Sequence, residues 1–99
     1  MEGLIEYLKS KGYEKIVIME SSWVGGSTAE AFKVCGYENL SKKYNVPLID
    51  IQKDKYNTYE VNGLKINVCD YITKVDYLIN IPVLKGHCQT NMTCALKNM

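Results

Sequence analysis

Apolar and polar positions in this chain change period several times, and each change marks an element. From Glu2 to Lys11, Leu4, Ile5 and Leu8 fall on one helical face, with Glu2, Glu6, Lys9 and Lys11 elsewhere. Gly12 stands where a helix stop is expected. Within Lys15 to Glu20, Ile16-Val-Ile-Met is apolar on both faces, which predicts a covered strand of a parallel sheet. Ser21 to Thr28 reads as a loop. Ser27 or Thr28 is the natural N-cap of the next helix, and Glu30, three residues after Ser27, completes a capping box. That helix carries Ala29, Ala31, Phe32 and Cys35 and is interrupted at Gly36. A second helical piece, about Glu38 to Tyr44, turns Leu40 inward. Asn45-Val-Pro47 ends the helices, and Leu48-Ile-Asp-Ile51 is the next strand. The unit is strand–loop–helix–strand, with a right-handed crossover expected.

The second half has a different rhythm. Gln52 to Asn57 is a polar, lysine-rich connection. Tyr56 to Val61 and Leu64 to Val68 then alternate around Asn62-Gly63. Asn-Gly between alternating runs predicts an antiparallel hairpin, because a type I′ turn needs positive φ at both central residues. Asp70 to Lys74 predicts one helical turn. Asp76 to Val83 is the candidate for a third central strand, with Pro82 near its end because proline cannot donate to a ladder. A final helix is expected to begin near Thr90 to Met92 and to include Cys94, Ala95 and Leu96. The pattern as a whole predicts an α/β fold: a three-layer, Rossmann-like sandwich with a mostly parallel central sheet and an appended β-hairpin. It fills the whole chain as one domain. Both ends stop inside helical pattern, so a fragment of a longer protein is expected.

Composition narrows the function classes. Among 99 residues, 46% are hydrophobic, enough for a modest core. The net charge is +1, and every basic residue is lysine. A balanced chain without arginine forks gives no reason to expect nucleic acid or an anionic membrane as partner. Lys42, Lys43, Lys53 and Lys55 read as solvated faces. No apolar run approaches the roughly 20 residues of a membrane span. Many of the eight tyrosines read as half-buried edges of a core and not as a stacking platform. Cys35, Cys69, Cys88 and Cys94 contain no C-x-x-C pair, and no secretory signal precedes them. Reduced thiols and a cytoplasmic location are therefore expected.

Two stretches hold candidate chemistry. In the first, Gly25 and Gly26 allow a close backbone approach, while Ser22, Ser27 and Thr28 add hydroxyls before a helix N-terminus. It is neither a P-loop nor a dinucleotide fingerprint, and the bland alternative is a turn plus a capped helix. Trp23 reads as a plug at the edge of the core. The second stretch follows the third strand. Lys85 and His87 flank Gly86, Thr90, Asn91 and Thr93 supply donors around a helix start, and Lys97 lies one turn beyond Thr93. Lysine, histidine and a helix N-terminus together suit a small anion, phosphate or carboxylate, although an ordinary capped helix fits the same residues. Metal is disfavoured. Adjacent His87 and Cys88 diverge in extended chain, and the Cys88–Cys94 spacing matches no usual zinc or cluster pattern. A Cys88 nucleophile lacks an orienting third group. Cys35 and Cys69 read as small buried hydrophobes.

The segment Asn80-Ile-Pro-Val-Leu-Lys-Gly-His-Cys-Gln-Thr-Asn-Met-Thr-Cys-Ala-Leu-Lys-Asn-Met99 closely resembles the hallmark of the prokaryotic family known as domain of unknown function 362. There a strand ending in Pro-x-Leu-Lys is followed by His, Thr and a Ser/Thr-x-x-Leu-Lys-Asn helix. Gly25-Gly-Ser-Thr28, Ala31-Phe32 and Gly36-Tyr37 resemble that family's first loop and helix. The resemblance implies an α/β core, with Lys85, His87, Thr90, Thr93, Lys97 and Asn98 as pocket residues and Gly25 and Gly26 facing them. It also implies a longer parent, in which many members carry a ferredoxin-like four-iron iron–sulfur cluster segment. None of the four cysteines here matches that segment, so no cofactor is expected within these 99 residues.

Overall fold

The computed structural model describes residues 1–89 and 91–94. Helix α1 (Glu2–Ser10) leads to strand β1 (Ile18–Glu20), helix α2 (Thr28–Val34), helix α3 (Tyr37–Tyr44) and strand β2 (Leu48–Asp50). A 3-10 turn (Ile51–Lys53) precedes β3 (Tyr56–Val61) and β4 (Leu64–Cys69). A single turn, α4 (Asp70–Thr73), follows, then β5 (Lys85–His87) and β6 (Asn91–Thr93).

The core is built in the first half. β1 and β2 run parallel, with Ile18 opposite Leu48 and Glu20 opposite Asp50. Partners in register share a sheet face, so Ile18 and Leu48 project together. There they meet Ile5 of α1, Phe32 of α2 and Val46, with Ile16, Tyr37 and Tyr44 packed around them. The Phe32 and Tyr37 rings lie 5.9 Å apart and tilted by 59°, a favourable edge-to-face arrangement. Ser27 caps α2 as the capping pattern requires, its Oγ accepting from the Glu30 N–H.

The β3–β4 hairpin pairs Val61 with Leu64 around Asn62 and Gly63, whose φ values are +52° and +78°. Both are left-handed, as a type I′ turn demands. All six residues of β3 are exposed.

Four expectations need correction. Residues 76–83 form no strand in the described sheets, and Leu78, Ile79, Ile81 and Val83 are exposed. Apolarity on two faces calls for a covered strand, but a ladder edge must be supplied by a neighbour, and Pro82 withholds a donor. The described residues therefore form three two-stranded sheets, of which one is parallel, and mixed α and β structure is what they show. Second, Asn91 to Thr93 is a strand, not a helix start. Asn91 adopts φ +60°, which turns the chain so that β6 pairs antiparallel with β5. Third, Trp23 is 82% exposed and plugs nothing. Fourth, Cys35 is exposed on α2 and is no core residue; Cys69 is half-buried.

Candidate functional site

The loop after β1 is held at three points. Gly26 N–H donates to Trp23 O at 2.7 Å, closing a turn whose third residue, Gly25, has φ +92°. That conformation suits glycine and matches a type II turn. A Cβ on Gly26 would lie 3.1 Å from Trp23 O, so a side chain there would crowd the turn. Farther back, Ser22 N–H donates to Thr28 Oγ1 at 3.2 Å, and the Thr28 hydroxyl donates to Ser22 Oγ at 3.3 Å. Thr28 is 2% exposed, so this pairing satisfies a buried hydroxyl. Finally, Gln52 Nε2 donates to Ser22 O at 2.6 Å, tying the loop to the end of β2.

Asp50 sits behind this loop. Its partial burial pushes the carboxyl pKa up. The nearby Thr28 hydroxyl and a hydrogen bond from the Gln52 N–H, with Lys53 at 3.5 Å, outweigh that and hold it below the ordinary value. Asp50 is therefore an ionised anchor for the loop.

The β5–β6 ladder supplies the opposite rim. Its register sets Lys85 opposite Thr93, Gly86 opposite Met92 and His87 opposite Asn91. Alternation puts Lys85, His87, Asn91 and Thr93 on one face. Three of these four line a cleft of about 470 Å³, together with Met19, Glu20, Ser21, Ser22, Trp23, Val24 and Ile51. The cleft thus lies at the carboxyl ends of the parallel pair, where open α/β sheets collect ligands. Met19 follows Ile18, so it belongs to the sheet face opposite the core.

Thr93 is distinctive. It is 7% exposed, and its Oγ1 has no hydrogen-bond partner among the described residues. Burying a hydroxyl without a partner costs about 1–3 kcal/mol, which a ligand acceptor would recover. His87 Nδ1 accepts from the Gln89 N–H at 3.2 Å.

The sequence-derived site residues divide accordingly. Lys85, His87 and Thr93 share the cleft, although on a hairpin face and not around a helix N-terminus. Asn91 shares their strand face without lining it. Gly25, Gly26, Ser27 and Thr28 shape and cap the facing loop, while its Ser21 to Val24 portion reaches the cleft. Thr90, Lys97 and Asn98 lie outside the described residues. Met19, Glu20, Ser21, Val24 and Ile51 were not singled out by sequence. Their shared signal is position, at or just beyond a strand's carboxyl end.

A family model described as domain of unknown function (DUF362) matches residues 1–99. The chain belongs to this family. No curated protein and no solved structure matches it. The iron–sulfur association that the family resemblance brings finds no fitting donor set here. Among the described residues no three His, Cys, Asp or Glu side chains could hold a metal ion together. The four cysteines are free: Cys35 caps the end of α2, Cys69 ends β4, Cys88 follows β5 and Cys94 follows β6. A four-iron cluster needs a convergent cysteine set. No described helix is long and apolar enough to cross a membrane.

Proposed function

We propose that this chain is the ligand-binding α/β core of a redox-linked cytoplasmic protein, and that its cleft holds a small anion, phosphate or carboxylate. The observation that carries this reading is Thr93: a buried hydroxyl without a described partner, on the same strand face as Lys85 and His87 and lining the same cleft. A lysine ammonium and a hydroxyl are donors suited to an anionic oxygen group, with the His87 ring lining the cleft beside them. The serine-lined loop opposite adds Ser21 and Ser22. The carboxylate of Glu20 also lines the cleft, which favours ligands that present the anion toward the hairpin rim.

Titration calorimetry with inorganic phosphate and with acetate tests this reading. Lys85→Ala and His87→Ala should abolish the heat of binding and leave the melting temperature nearly unchanged. Unaltered binding in both variants would refute the cradle, and a large drop in stability would assign these residues a structural role.

The same reading extends to the fold and the parent protein. The apolar run 76–83 would become the third strand of a three-layer, mostly parallel sandwich once an edge is supplied. A four-iron cluster would reside in a longer parent, outside these cysteines. Native mass spectrometry of that parent, with its iron content, checks the cluster.

A second reading, a protein-interaction module, is favoured by one observation. Tyr77, Val83 and Leu84 are 83%, 68% and 70% exposed along one continuous stretch. Apolar surface of that extent marks contact sites.

A further inference from the structure

The cleft is lined by apolar side chains as well as by polar ones. A phosphate or sulfate is fully hydrophilic and needs only the hairpin donors. Yet Met19, Trp23, Val24 and Ile51 also line the cleft, beside Glu20, Ser21 and Ser22. Trp23 and Val24 are each 82% exposed, so neither contributes to the core. The loop backbone that carries them is held in place: the Gly26 N–H to Trp23 O bond closes the turn, and the Gln52 amide holds Ser22 O. A solvent-facing indole carried into a cleft by a hydrogen-bonded loop is a stacking surface for a planar ring.

The geometry points to a ligand with two ends: a planar aromatic ring that stacks on Trp23 and a single anionic group, carboxylate or phosphate, that reaches Lys85 and the unpartnered Thr93 hydroxyl. This rests on the anion reading above and adds the ring. The volume of about 470 Å³ suits a ring with a short anionic arm and lies within the usual range of small-molecule sites. No bond is made or broken in this proposal; it concerns recognition alone.

Trp23 is the only tryptophan in the chain, so its emission reports on the cleft directly. The test compares inorganic phosphate, phenyl phosphate, benzoate and benzyl alcohol, by Trp23 fluorescence and by calorimetry. Phenyl phosphate is expected to bind about tenfold more tightly than inorganic phosphate, the scale of one aromatic stack. It should also change Trp23 emission, which inorganic phosphate should leave unaltered. Benzoate binding as well as phenyl phosphate would assign the carboxylate source, and weaker benzoate binding the phosphate source. Trp23→Ala should bring phenyl phosphate down to the affinity of inorganic phosphate by calorimetry, whereas Trp23→Phe should retain most of the advantage. Because Trp23 packs into no core, both variants should fold, as circular dichroism would verify.

Equal affinity for phosphate and phenyl phosphate would overturn the ring and leave the anion reading standing. Benzyl alcohol binding as tightly as phenyl phosphate would overturn the anionic end. Failure of all four ligands would remove both readings.

Discussion

Lys85 and Thr93 stand opposite each other in the β5–β6 ladder, and both line the cleft. One is an exposed cation, the other a buried hydroxyl with no described partner. Their substitution should therefore have opposite signatures. Thr93→Val keeps the shape and removes the orphan donor. It should stabilise the chain by about 1 kcal/mol in chemical denaturation while weakening anion binding. Lys85→Ala should leave stability within about 0.5 kcal/mol and weaken binding alone. Destabilisation by Thr93→Val would mean that its hydroxyl is already satisfied in the free protein.

Thr28 carries the opposite case, a buried hydroxyl that is fully used. It accepts from Ser22 N–H and donates to Ser22 Oγ, and it reaches Asp50. Thr28→Val should cost about 1–3 kcal/mol, since it leaves the Ser22 N–H without its acceptor. The loop that carries Trp23 should lose its fixed position with it. Trp23 fluorescence anisotropy is the direct check, and unchanged anisotropy would show that the Gly26 and Gln52 bonds suffice.

The core rests on few side chains, so each counts heavily. Ile5 and Val46 are each 1% exposed and meet Ile18 and Phe32 in a single cluster. Ile5→Ala should destabilise by about 2–5 kcal/mol, and Ile5→Val by about 0.5–1.5 kcal/mol. Urea unfolding with unchanged slope would confirm that the loss lies in the native packing.

Acid should weaken the α1–α3 contact. Glu2 Oε1 accepts from Lys43 Nζ at 2.8 Å and from Tyr44 Oη at 2.9 Å. The Tyr44 phenol approaches Glu6 still more closely, at 2.5 Å. The hydrogen bonds from Lys43 and Tyr44, with the Lys43 charge, hold the Glu2 carboxyl below its ordinary 4.5. A lowered native pKa contributes stability that is complete above 4.5 and is lost as pH falls through the native value. Glu2→Gln should therefore lower the melting temperature slightly near neutral pH and make no difference in strong acid. The pair is exposed, so the effect should be small and should shrink in high salt.

Local signals were legible in the sequence and distant ones were not. Asn62-Gly63 announced its hairpin because the turn's requirement is written in two adjacent residues. Ser27 announced its cap for the same reason. Asp76 to Val83 read as a strand because its pattern meets every local condition for one, yet a strand also needs a neighbour with a free edge. Asn91 was read as a helix start because asparagine suits both a helix entry and a left-handed turn. The observed φ of +60° chooses the second. Lys85, His87 and Thr93 were legible as polar residues in an odd place. Their common face depends on the ladder register, which no single residue states. Trp23 was read as a plug because large aromatics usually seek the core, and only its exposure shows otherwise.

The four buried hydrophobic residues all belong to the first 46 positions, whereas β5–β6 contributes little buried apolar surface. Local opening should then be graded along the chain, with hydrogen exchange slowest in β1 and β2 and fastest in the hairpins. The cleft bridges that gradient, with one rim on the well-anchored half and the other on a three-pair ladder. An occupant would act as a clasp between the two halves. Its affinity would reappear as slowed exchange in β5 and β6, far more than in β1, because a ligand stabilises most what opens most readily without it.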